Sequence, residues 1–472
     1  MGFFQKTFGK MWERCYFCAI KLFYMRLLKR KIDKFLVEWK DSPTKKPLIV
    51  RGARQIGKTE SISAFGREHY HHFININFVL QEKYKSIFED GFEVDQIIKN
   101  ISLLDASLRL QPGETLIFFD EMQACPSCAT SLKAFAIDGR FDVICSGSLM
   151  GINYNEIESV SVGYKEDYLM HGMDFEEFLW ARGVSQEIID ELLGKMLHVE
   201  PLGKVEMDVL MSHFKDYMIT GGMPAVVSRF VENGNFMGVL QMQKRLLKDY
   251  EEDITKYAIG LDKGKIKNVY NHISVFLGKD NKKFQISKIA HGARSRDYVG
   301  MVEWLADAGI INVCYNLDNL ELPLKGNYNP SNCKLYYSDT GLLVASLEDE
   351  AQDDLRINRN FNTYKGAIFE NVVADMLAKQ GYNLYFYRNE KSTIEMDFIV
   401  RDASSIIPVE VKATNSATRS LNKLVDHDGK YPIKYGIKLC ANNIGFNGKF
   451  YTFPYFLTFL LKHFLKERGE KA

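Results

Sequence analysis

The chain has 472 residues, of which 46% are hydrophobic, and its 61 Lys and Arg nearly balance its 60 Asp and Glu. This is the composition of a globular protein of roughly two to four domains. The formal net charge of +1 excludes a globally basic nucleic-acid-binding protein. Eight cysteines are few for this length and predict a reducing, cytoplasmic setting. Two pairs, Cys15/Cys18 and Cys125/Cys128, have CxxC spacing, and independent thiols are favoured over a shared zinc site. No apolar run approaches the roughly 20 residues of a membrane span, so we expect none.

The first 25 residues are interpreted as a basic N-terminal extension. Residues 1–46 contain 12 Lys and Arg against 4 Asp and Glu. The extension is a poor secretory signal, because charged residues interrupt its apolar run. It is either a solvated helix or a weak contact to nucleic acid or an anionic surface. Met25 is an alternative start, because an amphipathic helix that packs under a sheet is predicted over residues 30–39.

A phosphate-binding loop is predicted directly after an apolar strand at residues 48–50. The residues from Gly52 to Thr59 fit the pattern GxxxxGK[ST], in which glycines let successive N–H groups point at phosphate oxygens. Lys58 then reaches the β- and γ-phosphates, and the Thr59 hydroxyl binds Mg²⁺ at the positive end of the next helix. The alternative is a plain glycine turn before a helix.

A second apolar strand ends in two carboxylates, Asp120 and Glu121. Parallel strands bring the residues at their carboxyl ends to one edge of the sheet, where Asp120 is expected to hold Mg²⁺ and Glu121 to polarise the attacking water. With both motifs present, the sequence predicts an ATP-binding and ATP-hydrolysing site that uses Mg²⁺. Lys58, Asp120 and Glu121 are its predicted catalytic residues.

A further strand at residues 141–145 leads into Ser146-Gly-Ser148, which is either a sensor of the γ-phosphate or a plain turn. A strand is also predicted at residues 73–78 and a helix at 95–110, and strands that alternate with helices indicate a parallel sheet covered on both faces. Nucleotide contacts are predicted for the loop residues and the two serines: Gly52, Ala53, Arg54, Gln55, Ile56, Gly57, Lys58, Thr59, Ser146 and Ser148.

These motifs, with the segments 174–183 and 217–224, resemble a prokaryotic AAA-type ATPase family whose members join a P-loop domain to a C-terminal domain of unknown function. The resemblance runs from about Arg26 to the end of the chain. One departure is that the place where many relatives have Gly-Arg reads Gly163-Tyr164-Lys165 in this chain. Arg54 and Arg140 are the remaining candidates for a charge near the γ-phosphate, or else they form structural salt bridges.

Residues 205–345 are predicted to form a helical lid, with a break between two helices at residues 221–224, followed by a winged helix. The segment 284–310 has the rhythm of a helix-turn-helix, and the family resemblance implies a winged helix here. Lys288, Arg294 and Arg296 would meet DNA phosphates from the recognition helix. Winged helices also serve as protein–protein spacers, so a surface without DNA contacts is the alternative.

Residues 346–472 resemble the PD-(D/E)XK nuclease core, an α/β restriction-endonuclease-like fold. A predicted helix carries Glu370, one strand carries Asp397, and the next carries Glu410 and Lys412 on one face, because side chains alternate along a strand. Asp397 and Glu410 are predicted Mg²⁺ ligands, and a nearby ammonium suits metal-assisted phosphodiester cleavage. The alternative is a residual or regulatory nucleic-acid-binding surface.

The sequence therefore predicts an α/β protein with an extension (1–25), a P-loop ATPase domain (26–204), a helical and winged-helix region (205–345) and a nuclease-like domain (346–472). We predict Mg²⁺-dependent ATP hydrolysis that acts on DNA or is regulated by it. The alternative is a nucleotide-dependent switch that binds a protein partner and has a catalytically silent C-terminal domain. DNA, a protein partner and self-association all stay open.

Overall fold

The computed structural model describes residues 28–148, 163–258, 260–279, 284, 297–357, 363–389, 394–413, 418–426 and 431–470. The basic extension, Met25 and one cysteine pair (Cys15 and Cys18) lie outside these residues. So do the three basic residues of the predicted recognition helix, Lys288, Arg294 and Arg296.

The N-terminal region is built around a parallel sheet of five strands in the order β2-β3-β4-β1-β5. The strands are β1 (Leu48–Gly52), β2 (His72–Asn77), β3 (Thr115–Asp120), β4 (Asp142–Ser148) and β5 (Glu166–Leu169). The helices between and before them are α1 (Lys31–Asp41), α2 (Lys58–His69), α3 (Val94–Leu104) and α4 (Ser127–Asp138).

Both faces of this sheet are buried, as the continuous apolar strands predict. Along β3, Leu116 and Phe118 belong to one core with helix α1, which contributes Leu36. Ile117 and Phe119 point to the other core, together with apolar side chains of α3 and α4. The alternation follows from the two-residue period of a strand. The predicted parallel sheet and the amphipathic helix beneath it are confirmed.

Helix α3 ends at Leu104 and is therefore shorter than the helix predicted over residues 95–110. The Asp105 carboxylate accepts a hydrogen bond from the Ser107 backbone N–H at 3.0 Å. Asp and Ser often bond the nearby backbone in this way, and such bonds compete with helix continuation.

The chain then forms a layer of helices. They are α5 (Phe175–Ala181), α6 (Gln186–His198), α7 (Lys204–Thr220), α8 (Pro224–Asn233), α9 (Val239–Tyr257), α10 (Lys263–Leu277) and α11 (Val299–Asp307). Gly221, with φ of +72°, ends α7, and Pro224 opens α8 at the position where its fixed φ and missing N–H suit a helix start. The break predicted there is confirmed.

Two antiparallel strands, β6 (Ile311–Leu317) and β7 (Tyr328–Tyr337), follow α11. Helices followed by such a hairpin are the order expected of a winged helix. The winged-helix identity stays a prediction, because residues 285–296 lie outside the described part of the chain.

The remaining elements form mixed sheets and helices. They are α12 (Thr340–Ala345), α13 (Ala351–Arg356), α14 (Thr363–Lys379), β8 (Leu384–Arg388), β9 (Glu395–Met396), β10 (Phe398–Arg401), β11 (Ile406–Val411), α15 (Arg419–Val425), β12 (Gly436–Cys440), β13 (Gly445–Phe446), β14 (Phe450–Pro454) and α16 (Leu461–Glu470). One sheet has the order β10-β11-β12-β14-β13 and another the order β7-β6-β8-β9.

The second of these sheets joins the middle and C-terminal regions, because β6 pairs in parallel with β8. The boundary predicted between residues 345 and 346 therefore runs through a shared sheet. The strand predicted around Asp397 is also divided: β9 pairs with β8, whereas β10 pairs with β11. Asp397 lies at the break between these two pairings.

Candidate functional site

The phosphate loop joins the end of β1 to the start of α2. Gln55 and Gly57 have φ angles of +63° and +88°, so the backbone curls through the left-handed region, which glycine adopts without strain. Gly52 is required for a different reason, since a Cβ there would lie 2.3 Å from the Met170 carbonyl oxygen. The loop predicted from the glycine spacing has the backbone that the pattern implies.

Lys58, the first residue of α2, is 9% exposed. Its Nζ donates to the carbonyl oxygens of Gly52 at 3.0 Å and Ala53 at 2.7 Å. Burial lowers the pKa of Lys58 to about 8, although the Glu121 and Asp120 carboxylates act in the opposite direction. The cation is thus held inside the loop, beside the acids at the end of β3.

Asp120 is 2% exposed and accepts hydrogen bonds from four sides. The Thr59 hydroxyl lies 3.2 and 3.1 Å from its two carboxylate oxygens, and Asn77 Nδ2 lies 2.9 Å away. The Ser146 hydroxyl and the Glu121 backbone N–H also donate to it. A threonine hydroxyl beside a carboxylate is a hard oxygen pair that fits Mg²⁺.

Glu121 follows β3 directly and has φ of +56°, which is uncommon for a residue with a side chain. Its carboxylate accepts a hydrogen bond from Gln123 Nε2. The local backbone thus places a second carboxylate at the sheet edge that carries Lys58 and Asp120. Backbone strain of this kind is frequent at functional sites.

The two serines predicted as a sensor lie inside β4 and not in a turn after it. Ser146 contacts Asp120, as the predicted strand order requires. Ser148 is buried and pairs in register with Gly52, at the start of the phosphate loop. Both serines are therefore at the site, and a γ-phosphate contact stays a prediction for each.

The two candidate arginines have other partners. Arg140 precedes β4, at the edge of the parallel sheet opposite to the phosphate loop, and it pairs with Asp95 and Asp138. This placement removes it as a candidate for the γ-phosphate. Arg54 does lie in the loop, but its guanidinium pairs with Asp253 of α9. The structural salt-bridge alternative therefore describes both arginines.

Arg30 is a loop-positioning residue that the sequence reasoning missed. It is 5% exposed, and its guanidinium donates to the Ile56 carbonyl oxygen at 2.8 Å, to the His171 carbonyl oxygen at 2.8 Å and to Glu177 Oε1 at 3.1 Å. Glu177 and Asp174 form a capping box at the start of α5. That local D-x-x-E signature was readable, but its connection to the phosphate loop was not. Asn77, at the end of β2, was missed as well.

The Gly-Gly-Met-Pro segment contacts both the loop and the middle region. A Cβ at Gly57 would lie 3.6 Å from Pro224 Cγ, so Pro224 packs against the loop. The Gly222 N–H donates to Asp339 Oδ2 at 2.6 Å. Asp339 also caps α12 by accepting from the Leu342 N–H at 3.0 Å. One carboxylate thus links the segment beside the phosphate loop to the end of β7.

The predicted nuclease-like residues are brought together. Glu370, Asp397, Glu410 and Lys412 line one cavity of about 230 Å³, together with Lys334, Glu395 and Ser420.

Contacts inside this cavity pair the charges. Lys412 Nζ lies 2.7 Å from Glu410 Oε1, which agrees with the predicted shared face, and the Val411 N–H donates to Asp397 Oδ2 at 2.8 Å. Burial raises the pKa of Glu410, and the Lys412 ammonium opposes that rise. The sequence reasoning missed Lys334, because it arrives from β7, more than 35 residues before Glu370 in the chain.

Within the described residues, no group of three or more His, Cys, Asp or Glu side chains is placed to hold a metal ion. The six cysteines among the described residues, which include Cys125 and Cys128, are buried free thiols.

No helix among the described residues has the length and apolar character to cross a bilayer.

Comparison with family models divides the chain into three matched segments. Residues 44–179 match an AAA domain. Residues 211–353 match a domain of unknown function (DUF8612), and residues 365–456 match another domain of unknown function (DUF4143). No curated protein matches the chain.

Several solved structures are similar over part of the chain. The Walker-type ATPase PABY2304 of Pyrococcus abyssi is 14% identical, and the match covers 68% of this chain and 96% of that one, with a TM-score of 0.41. The RuvB Holliday junction branch migration motor of Thermotoga maritima is 14% identical over 60% and 89% of the two chains, with a TM-score of 0.30. The Orc1 protein of Aeropyrum pernix, in complex with DNA, is 11% identical over 70% and 91%, with a TM-score of 0.29.

The N-terminal region is thus an AAA-type P-loop domain. Its parallel sheet, its GxxxxGK[ST] loop between strand and helix, and the AAA domain match over residues 44–179 agree on this class. The resemblance to AAA-type ATPases stated from the motifs is confirmed for this region. The C-terminal region matches a domain whose description names no function, so its likeness to nucleases stays a prediction.

Proposed function

We propose that this chain binds ATP with Mg²⁺ and hydrolyses the β–γ phosphate bond at the carboxyl edge of the parallel sheet. The observation that carries the proposal is the Thr59 hydroxyl, 3.1 Å from the buried Asp120 carboxylate and beside Lys58. Thr59 and Asp120 would hold Mg²⁺, which neutralises phosphate charge in such sites. Loop N–H groups would bind the phosphates.

The chain's own groups have separate roles in this proposal. Lys58 gives up its loop carbonyl partners and stabilises the charge that develops on the β- and γ-phosphates. Glu121 accepts a proton from the attacking water or orients it. Asn77 and Ser146 hold the Asp120 carboxylate in place. Arg30 fixes the loop through the Ile56 carbonyl oxygen.

Phosphate release from ATP, measured for the wild type and for Lys58→Ala, tests this function. Removal of one charge-stabilising group typically costs about 100- to 1,000-fold in rate, and we expect a loss of that size. Lys34→Ala is the matched control, because Lys34 is an exposed lysine of α1. Equal turnover by the wild type and Lys58→Ala would overturn the proposed role of the loop.

For the process that ATP drives, the first candidate is action on DNA, by binding or by cleavage. The shared cavity of Asp397, Glu410 and Lys412 favours it, because these residue types in one pocket suit phosphodiester chemistry. A steep fall of DNA affinity with salt is the expected result, since phosphate contacts release counterions. Nicking of supercoiled plasmid that is lost in Asp397→Ala would identify a nuclease. Absence of DNA binding at low salt would remove this candidate.

The second candidate is a nucleotide-dependent switch that binds a protein partner, with a catalytically silent C-terminal domain. It is favoured by Asp339, which accepts a hydrogen bond from Gly222 beside the phosphate loop and lies two residues after β7. Around it lies a cavity of about 380 Å³ that is lined by loop residues Ala53 and Ile56 and by Asp375 and Lys379 of α14. ATP-dependent hydrogen exchange in β7 is expected of the switch. Unchanged exchange in β7 on ATP binding would count against it.

A further inference from the structure

Lys334 is a buried lysine on a strand of the middle region, and its ammonium group lies in the C-terminal carboxylate cluster. It lies on β7, outside the segment that matches the second domain of unknown function, and its side chain is 1% exposed. β7 is joined through β6 to β8, so the lysine is held by the shared sheet. The nuclease-like motif already contains its own lysine, Lys412, and does not account for this one.

The contacts of Lys334 are with carboxylates. Its Nζ lies 3.1 Å from Glu370 Oε1 and 3.7 Å from Glu395 Oε1. The Tyr336 hydroxyl donates to the same Glu370 oxygen. Burial alone would lower the pKa of Lys334, but the charges of Glu370, Asp397 and Glu395 outweigh it, and the pKa is raised. The ammonium is therefore kept charged by the carboxylates around it.

The charge balance of the cavity explains why a cation is needed there. Four carboxylates line it against two ammonium groups, and a buried carboxylate without a compensating charge is strongly disfavoured. Lys412 forms an ion pair with Glu410, whose Oε2 makes no hydrogen bond within the described residues. Lys334 forms ion pairs with Glu370 and Glu395. A divalent cation that used Glu370 would have to share this carboxylate with the Lys334 ammonium.

We propose that Lys334 is the resident cation of this site, held against Glu370 and Glu395, and that it sets the site's preference against divalent metal ions. The inference rests on the C-terminal site of the proposed function and not on ATP hydrolysis. Removal of the ammonium without removal of the carboxylates therefore creates a site for a hard divalent cation. With this lysine in place, metal-assisted cleavage by the wild type is disfavoured, which agrees with the second candidate function and not with the cleavage branch of the first.

Binding of Mn²⁺ to the full chain without nucleotide, measured by titration calorimetry and by the electron paramagnetic resonance of free Mn²⁺, tests the proposal. We expect no site at this cluster in the wild type and one site in Lys334→Met, with affinity at least about tenfold above the wild type. Mn²⁺ should also raise the melting temperature of Lys334→Met and leave that of the wild type unchanged. Lys325→Met, an exposed lysine before β7, is the control and should behave as the wild type.

Two further variants make the result specific. Lys334→Gln keeps a hydrogen-bond donor for Glu370 but has no charge, so it should bind Mn²⁺ even if Lys334→Met does not fold. Addition of Glu370→Gln should abolish the new site, because Glu370 is the carboxylate that the ammonium has left. Equal Mn²⁺ affinity in the wild type and the folded Lys334 variants would overturn the proposal, and so would folded variants that bind none. ATP turnover, measured in parallel, reports on the proposed ATPase separately.

Discussion

Replacement of Arg30 tests how the phosphate loop is held. Arg30→Met removes a guanidinium that is 5% exposed and leaves the Glu177 carboxylate, with 6% of its side chain exposed, without its cation. Loss of one partner of a buried ion pair costs about 3–5 kcal/mol, mostly because the other charge is left uncompensated. The lost bonds to the carbonyl oxygens of Ile56 and His171 act in the same direction. We expect the free energy of unfolding to fall by about 3–5 kcal/mol at neutral pH.

Urea unfolding, followed by circular dichroism, measures this change, with Lys34→Met, on the helix that Arg30 precedes, as the exposed control. Because burial already raises the pKa of Glu177, loss of Arg30 raises it further, and the destabilisation should shrink as pH falls and the carboxylate is protonated. Arg30→Met combined with Glu177→Gln should recover part of the loss, since no buried charge remains. A loss below about 1 kcal/mol at neutral pH would refute this reasoning.

Three further outcomes follow from the described contacts. Burial raises the pKa of Asp375 from 3.8 to about 7, so the stabilisation from this side chain is complete below its pKa in the unfolded chain and is lost as pH rises toward 7. Relative to Asp375→Asn, the free energy of unfolding of the wild type, measured by urea unfolding, should fall by at most about 1.4 kcal/mol per pH unit across that window. Thr59→Ala should raise the Mg²⁺ concentration needed for half-maximal ATP turnover, and Thr59→Ser should restore it; an unchanged Mg²⁺ requirement would contradict the Thr59 role. Asp339→Ala should lower the free energy of unfolding by about 1–3 kcal/mol, because Gly222 and Leu342 lose their acceptor, whereas exposed Asp353→Ala should have no such effect.

The phosphate-loop site was largely predictable, because its parts are local in sequence. The spacing from Gly52 to Thr59 specifies a loop between a strand and a helix, and an apolar run that ends in Asp120 specifies a buried strand. Parallel pairing then brings both to one edge without any further information. Ser146 followed from the same rule.

The missed residues depend on contacts between distant segments. Arg30 reaches Glu177 across 147 positions, and Lys334 reaches Glu370 from another region of the chain. No local pattern distinguishes such residues from the other basic residues on helices or strands. Arg140 shows the opposite limit of sequence reasoning. It precedes the predicted sensor strand directly, which made it a candidate for a charge near the γ-phosphate, but that strand begins at the edge of the sheet opposite to the phosphate loop.

The C-terminal site was predictable in its members but not in its electrostatics. The order of Glu370, Asp397, Glu410 and Lys412 indicated one pocket, and the structure brings them into one cavity. The predicted continuous strand at Asp397 is instead shared between two sheets. That division brings Glu395 of β9 toward Lys334, an ion pair that the motif alone does not imply.

The most direct test of the central claim separates ATP binding from ATP hydrolysis at Glu121. Nucleotide affinity and single-turnover phosphate release would be measured for the wild type, for Glu121→Gln, and for Glu114→Gln, an exposed residue at the opposite end of β3. We predict that Glu121→Gln binds ATP as the wild type does and releases phosphate at least about 100-fold more slowly, since a positioned base contributes about that much, whereas Glu114→Gln is unchanged. Phosphate release by Glu121→Gln at the wild-type rate, or no ATP binding by the wild type, would contradict the account.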